Sequence, residues 1–223
     1  LFFNYFFYIV NMLLLLKNKT FLLFFIGNIT SLIGFGFNLI AISWMVLEES
    51  GSEYLLGKIM ASATAPGLIL AVFAGAIIDK LNRKWLLVSL DIFRLIVVSV
   101  FLYFISKFNF EVSFLYPVAF FMGLGNSLFW PTAQAFVQEL VSEKDYFNAN
   151  KLLSASYQVG SILGAGIGGL VVHTYSPIVA LWINILTYIV SAFFISLAPF
   201  KRKNLFIEEK SLFDLIMKGF SYL

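Results

Sequence analysis

The chain has 223 residues, of which 61% are hydrophobic and 12% are charged, and its formal net charge is +3. Soluble domains are about 45–50% apolar and about 25% charged, so this composition indicates a membrane protein. Zero cysteines exclude a disulfide framework and a thiolate metal site, and one histidine excludes a histidine cluster, so no cofactor is expected. The basic residues lie in short loops beside apolar runs, which argues against nucleic-acid binding.

Residues 1–19 form an apolar N-terminal segment with an uncertain start. It lacks an initial methionine, a basic n-region and a small-residue cleavage site, so a signal peptide is not expected. Met12 is a reasonable true start, with residues 1–11 left unassigned. Lys17 and Lys19 would then form a cytoplasmic flank.

Six runs with little or no charge follow, and each can span about 30 Å of hydrocarbon as a helix. They are Phe21–Leu47, Tyr54–Ile78, Trp85–Ser106, Val112–Gln138, Leu152–Val172 and Ser176–Phe200. Helices are expected because unpaired backbone groups cannot face lipid, and no run alternates like a barrel strand. Residues 20–200 are therefore predicted to form an all-α integral membrane domain, a bundle of six transmembrane helices.

Lysine and arginine in the loops predict the orientation of these spans. One side carries Lys17, Lys19, Lys80, Arg83, Lys84, Lys144 and the basic run 201–203. The other side carries Glu48, Glu49, Glu53, Glu111 and His173, with little positive charge beyond Lys107. Both ends of the chain are therefore predicted to be cytoplasmic. Residues 201–223 are predicted to form a linker with a short amphipathic helix at the membrane interface.

Glycines suggest an inverted repeat within the six spans. The matching positions are Gly34, Gly36 and Asn38 against Gly123, Gly125 and Asn126, and Gly67 and Gly75 against Gly160 and Gly168. Weak repeats of opposite topology are typical of transporters, with the substrate path at the repeat interface. The alternative is that small residues serve close packing, as they do in many membrane helices.

A compact charged hairpin separates the second and third runs. Gly75 is expected to let the second helix approach a neighbour, and Asp79 lies at a helix C-terminus that would prefer a cation, so it needs a partner among Lys80 and Arg83 or on another helix. Lys84 completes the basic turn. The alternative is a solvated loop with snorkelling bases.

Asp91 and Arg94 lie one turn apart inside the third run. Burying both in a membrane is costly unless they pair with each other or with the hairpin. We therefore expect them to join the hairpin in one charge network at the cytoplasmic mouth, able to hold one conformation and to break in another.

The hairpin resembles the loop motif of the major facilitator superfamily, G-x-x-x-D-[RK]-x-G-R-[RK]. Asn82 stands where the family has glycine, and asparagine also tolerates a left-handed turn. A second resemblance lies in the fifth span, whose Gly160, Gly164, Gly168 and Gly169 match the exporter and antiporter motif G-x-x-x-G-P-x-x-G-G. Ala165 replaces the proline, so a kink relying on it would be absent.

The stretches 123–131, 139–141 and 148–154 are similar to the macrolide-efflux and enterobactin-exporter branch of the superfamily. The resemblance covers about residues 20–223, and it implies that this chain is the N-terminal half of a twelve-helix transporter. It also implies that Arg83 pairs with Glu139 and that Asp79 faces the missing C-terminal half. These contacts would lock the outward-open state.

Polar and aromatic residues on the first, fourth and fifth spans are the candidates for a small-molecule path. They are Asn28, Ser31, Asn38, Trp44, Asn126, Trp130, Gln134, Tyr157 and Gln158. Each could equally make an interhelical hydrogen bond. Pro66 and Pro131 could kink their helices and open a cavity.

The resemblance implies proton-driven export, but the residues of this chain do not indicate it. Apart from Asp91, no carboxylate lies deep in a span, and the nearby Arg94 should keep Asp91 ionised. A proton carrier could therefore lie in the missing half.

The leading hypothesis is a bacterial cell-membrane exporter of small amphipathic compounds such as drugs, macrolides or siderophores, working by alternating access. An importer or lipid transporter of the same fold is the alternative within transport. A membrane assembly or regulatory fragment is the alternative outside it. An enzyme is the least expected, because the sequence offers no histidine cluster, no reactive thiol and no phosphate loop.

Overall fold

A computed structural model describes residues 14–200, and it places seven α-helices and three short 3-10 turns in that range. The α-helices are α1 (Lys19–Ser50), α2 (Glu53–Leu70), α3 (Ala74–Lys80), α4 (Arg83–Lys107), α5 (Leu115–Leu140), α6 (Tyr146–Thr174) and α7 (Pro177–Leu197). The expectations for residues 1–13 and for the linker at 201–223 lie outside the described residues.

Short polar residues set several helix starts in an otherwise apolar chain. Asn18, Ser52, Asn82 and Ser176 each accept a backbone N–H of the first turn that has no partner inside the helix. Gly51 ends α1 with φ of 61°, the left-handed conformation that glycine adopts without strain. Hydropathy therefore defines the spans, and these caps define where their helices begin and end.

The predicted all-α bundle is confirmed. Within residues 14–200, five helices are long and apolar enough to cross a membrane, and six spans result if α2 and α3 count as one. The second span was expected to be one helix, but it bends by 65° between α2 and α3. Hydropathy measures only apolar content, so it does not detect a three-residue break at 71–73. Pro66 lies inside α2, one turn before that break.

The two three-span units interlock. The first helix of the first unit, α1, packs mainly against α6 and α7, the last two spans of the second unit. The first helix of the second unit, α5, packs mainly against α2 and α4, the last two spans of the first unit. The contact pattern thus repeats between the units, as an inverted repeat requires.

Glycines form the seam between α1 and α6. A Cβ atom added to Gly36 would lie 2.6 Å from the Gly164 carbonyl carbon, and one added to Gly160 would lie 2.6 Å from the Leu32 Cβ. Gly168 faces the Phe37 backbone at 3.2 Å. Three of the four glycines in the fifth-span motif therefore let two backbones touch, which small residues allow in membranes. A Cβ at Gly169 would have no neighbour within 4 Å among the described residues.

The glycines of the second span do not make a matching seam. A Cβ at Gly67 would make an ordinary 3.6 Å contact with Ser127, and one at Gly75 would have no heavy atom within 4 Å. The expectation that Gly75 lets the helix approach a neighbour is therefore wrong within the described residues. The physical reason is that α3 still contacts α5, but with a face other than the one that carries Gly75.

Candidate functional site

Asn82 shapes the charged hairpin between α3 and α4. Its φ of −72° is ordinary, and its side chain accepts the Trp85 N–H at 3.3 Å as the cap of α4. The sequence allowed a left-handed backbone conformation at this position, and Asn82 does not adopt it. The cap places Arg83 in the first turn of α4, directly beside the end of α3.

Arg83 links three helices at the end of the bundle that carries the basic loops, called here the basic end. One guanidinium nitrogen donates to Asp79 Oδ1 at 2.9 Å, and the other donates to Glu139 Oε1 at 2.9 Å and to the Ala135 carbonyl at 3.2 Å. The side chains of Arg83 and Glu139 are 18% and 16% exposed, whereas Asp79 is 70% exposed. The pair expected from the resemblance is present, and we name Asp79, Arg83 and Glu139 the hairpin triad.

Lys84 and Lys80 differ in their surroundings. Lys84 is buried, and its ammonium donates to the Ala198 carbonyl at 2.7 Å, at the C-terminal end of α7. A cation there complements the helix dipole. Lys84 therefore ties α4 to α7 and does not join the hairpin triad. Lys80 is half-buried at the end of α3.

Deeper in the bundle, Asp91 and Arg94 form an ion pair with each other. Asp91 accepts hydrogen bonds from Ser31 at 2.9 Å and from Ser191 at 2.6 Å, and Arg94 donates to Asn126 Oδ1 at 2.9 Å. Arg94 also donates to Ser31 at 3.0 Å. These five residues, named the core cluster, join α1, α4, α5 and α7. Asp91 and Arg94 are 0% and 2% exposed, so the pair is closed to water.

Aromatic rings complete the shell around Arg94. Its guanidinium carbon lies 4.2 Å from the centre of the Phe129 ring and 4.6 Å from that of Tyr188, distances typical of cation–π contacts. Gly125 leaves room for the arginine stem, since a Cβ there would lie 2.7 Å from Arg94 Cγ. The charge is therefore fully surrounded by partners.

The expectation of a single charge network at the mouth is wrong. Asp91 lies two turns further along α4 than Arg83, roughly 12 Å deeper. Its partners come from the middle of the bundle, while those of Arg83 come from the basic end. The two clusters share a helix but no contact among the described hydrogen bonds and ion pairs.

A cavity of about 220 Å³ opens between α1, α2 and α5. Two of the candidate path residues, Asn38 and Asn126, line it together. The rest of the lining is Phe35, Leu39, Ile42, Met60, Ala63, Thr64, Ala119, Met122 and Gly123. The cavity is thus an apolar space with two amides in its wall.

The other candidate path residues lie apart from this cavity. Asn28 donates to Ser156 at 2.9 Å in a buried contact between α1 and α6, which matches the alternative of an interhelical hydrogen bond. Trp130 and Tyr157 meet edge to face with ring centres 5.0 Å apart. Trp44, Gln134 and Gln158 are exposed, and Ser31 belongs to the core cluster.

Sequence reasoning missed the polar residues of the sixth span. Asn184, Tyr188 and Ser191 are all buried and lie on one face of α7, at spacings of four and three residues. Ser191 binds Asp91, and Asn184 donates to Asn38 at 3.4 Å. The helical spacing of these polar positions in an apolar run was the signal that could have revealed them.

The fold and the site define a multi-pass α-helical membrane protein of the transporter type, with a charged hairpin at one end and a cavity between its spans. The chain belongs to the family of transmembrane secretion effectors, within the major facilitator superfamily, and the match covers residues 12–223. The superfamily expected from the two motifs is therefore confirmed.

Curated relatives of this chain include efflux proteins. The chain is 26% identical over 174 residues to the multidrug efflux pump Tap of Mycolicibacterium fortuitum, covering 75% of this chain and 42% of Tap. It is 29% identical over 152 residues to BacE of Bacillus amyloliquefaciens, named as a candidate bacilysin exporter, covering 68% of this chain and 38% of BacE. The chain thus matches less than half the length of these relatives.

Proposed function

We propose that this chain forms the N-terminal half of a secondary transporter that exports small amphipathic compounds across a bacterial cell membrane. Drugs, macrolides and siderophores are the cargo classes that the resemblance implies. The observation that carries the proposal is the hairpin triad, in which one arginine joins the ends of two spans and the start of a third at the basic end. Names of relatives that refer to efflux and export point the same way.

The proposed mechanism is alternating access, with this half and a C-terminal half rocking about a site between them. The hairpin triad lies at the membrane end predicted to be cytoplasmic. Asp79 is the most exposed member, so it can contact the other half in one state and separate in the next. An exposed ion pair contributes little to stability and breaks readily, which suits a lock that must open in every cycle.

Proton coupling is proposed on the resemblance alone. The deep carboxylate of Asp91 is paired and closed to water in this structure, so it is a poor carrier for this half to offer. The proposed carrier therefore lies in the C-terminal half. A protonophore added to energised cells tests this: export should stop, and export that continues would remove the proton from the mechanism.

The lock is tested by efflux of the neutral dye Nile red from energised cells that express the full-length protein. Asp79→Asn and Glu139→Gln should each slow efflux up to about fivefold, because each removes one charge from a solvent-accessible ion pair that contributes about 0–1 kcal/mol to the locked state. Glu143→Gln is the matched control, since Glu143 is exposed on the loop four residues beyond Glu139. It should leave efflux unchanged.

Two results would count against the proposal. Normal efflux by Asp79→Asn, at equal protein levels in the membrane, would show that Asp79 does not form a lock. If cells with the wild-type protein and cells without it accumulate the same amount of dye, the protein does not export this class of compound.

A further inference from the structure

The wall of the cavity between α1, α2 and α5 has a defined hydrogen-bonding polarity. A guanidinium group has donors and no acceptor, so the atom of Asn126 that faces Arg94 at 2.9 Å must be the amide oxygen. The amide nitrogen of Asn126 is therefore the atom left for the cavity, which Asn126 lines. The ion pair with Asp91 fixes the position of Arg94, and Arg94 in turn fixes the orientation of the Asn126 amide.

Asn38 makes a second amide contact behind the wall. Its amide oxygen accepts from the Asn184 amide nitrogen at 3.4 Å, in a buried contact. Because both partners are amides, this contact permits either orientation of Asn38, and the polarity of the wall rests on Asn126. Thr64 at the rim uses its hydroxyl proton on the Ala61 carbonyl at 3.0 Å, so it presents only lone pairs. The remaining side chains of the wall are apolar.

We propose that this cavity selects cargo that carries a hydrogen-bond acceptor, such as a ketone, ester or ether oxygen, on an uncharged apolar frame. The proposal rests on the proposed function, since it names the class of compound that the exporter would take. Ligand pockets usually measure about 300–1,000 Å³, so a cavity of about 220 Å³ holds one ring system of a larger cargo.

The selection follows from the cost of an unpaired donor. If an apolar frame without an acceptor fills the cavity, it removes water from the amide nitrogen of Asn126 and gives it no partner. A site with a buried donor strongly rejects an analogue that lacks the matching acceptor. An apolar pocket that discriminates only by size rejects a wrong analogue much less strongly. We expect at least a tenfold preference for the acceptor.

The test uses three naphthalene compounds of nearly equal shape and the full-length protein in lipid nanodiscs. 2-Acetylnaphthalene carries a ketone, and 2-isopropenylnaphthalene replaces its oxygen by a methylene group. 1-(2-Naphthyl)ethylamine is an ammonium ion at neutral pH, so it carries donors and a positive charge. Titration calorimetry should give a Kd about tenfold lower for the ketone than for the alkene. The amine should bind no better than the alkene.

Asn126→Asp reverses the polarity with almost no change in shape. One carboxylate oxygen still accepts from Arg94, and the other replaces the donor nitrogen that faces the cavity. The ketone should lose its tenfold advantage and the amine should become the preferred ligand. Asn109→Asp is the matched control, because it makes the same change at an exposed position in the loop between α4 and α5, outside the cavity. It should keep the ketone preference.

Equal binding of ketone and alkene by the wild type, or no binding of either, would overturn the proposal. So would an Asn126→Asp protein that keeps the preference. If that variant is misfolded in size-exclusion chromatography, the wild-type series still decides the question. A ketone preference in a protein that exports nothing from cells would reject the proposed function and support this inference, and export without the preference would do the opposite.

Discussion

Helix α4 carries two ion pairs that differ in almost every physical respect. At its start, Arg83 bridges Asp79 and Glu139 with part of the triad in water. Two turns further on, Arg94 pairs with Asp91 where neither side chain is more than 2% exposed. The hairpin triad touches the ends of helices, whereas the core cluster joins the middles of four spans.

The comparison distinguishes the hairpin triad, whose ion pairs can open, from the core cluster, which keeps four spans together. Exposed ion pairs contribute about 0–1 kcal/mol, so small changes in the surroundings can open them. A buried pair contributes little against an apolar replacement, but removing one partner costs about 3–5 kcal/mol because a charge is left without a partner. One helix can therefore be fixed in the bundle at its middle and remain free to change contacts at its end.

Removal of one charge from the core cluster should have the largest effect. Arg94→Met leaves Asp91 buried without its cation, and we expect the free energy of unfolding to fall by about 3–5 kcal/mol. Denaturant titration of the full-length protein in micelles measures this. Asp91→Leu combined with Arg94→Met should recover part of the loss, because no buried charge remains. A loss below about 1 kcal/mol for the single variant would mean that the cluster does not hold the spans.

A pair of glycine substitutions compares the two regions without changing any charge. Gly125→Ala places a Cβ against the stem of Arg94 in the core cluster, and overpacking of this kind costs about 1–3 kcal/mol. Gly75→Ala meets no heavy atom of residues 14–200 within 4 Å, so the better helix propensity of alanine should make it neutral or slightly stabilising. Thermal unfolding of the two variants side by side gives the comparison, and equal melting temperatures would contradict it.

Lys84 lies between the two regions and should give an intermediate effect. Lys84→Met keeps the buried stem but leaves the Ala198 carbonyl without its donor, at a cost of about 1–2 kcal/mol. The loss should be local, so hydrogen exchange should rise in the last turn of α7 and stay unchanged around Asp91. Uniform exchange along α7 in the variant would show that the lysine does not hold this helix end.

The smallest stability effect is expected in the hairpin triad. Asp79→Asn should change the free energy of unfolding by less than about 1 kcal/mol, because the Asp79 side chain is 70% exposed. Glu139→Gln should cost slightly more, since Glu139 is far less exposed. Both are measured by the same titration as Arg94→Met. A loss for Asp79→Asn as large as that for Arg94→Met would erase the distinction between the regions.

Hydropathy predicted the spans well because lipid imposes length and apolar content directly on the sequence. The bend after Leu70 escaped this reasoning, since the residues on either side are equally apolar. The Arg83–Glu139 pair was expected only through the resemblance, because its two members lie on different helices. Gly75 was misread, since the role of a glycine depends on what lies opposite.

The candidate site was predicted least well where several helices meet. The spacing of Asp91 and Arg94 indicated that they pair with each other or with the hairpin, and the sequence could not place Ser31, Ser191 and Asn126 around them. Asn38 and Asn126 were recognised as path candidates by residue type alone. Their shared cavity and the direction of the Asn126 amide depend on partners behind the wall, which no local pattern encodes.

The seam between α1 and α6 has a consequence for the history of the protein. Gly36 touches the backbone of Gly164, and any amino-acid substitution at either position adds at least one carbon atom where there is no space. Phe35 and Leu39 lie on the same turns of α1 but face the cavity. Natural variation can therefore reshape one side of this helix, residue by residue, while the other side stays unchanged. Under the proposed export function, the selectivity of the cavity can therefore change without rebuilding the bundle.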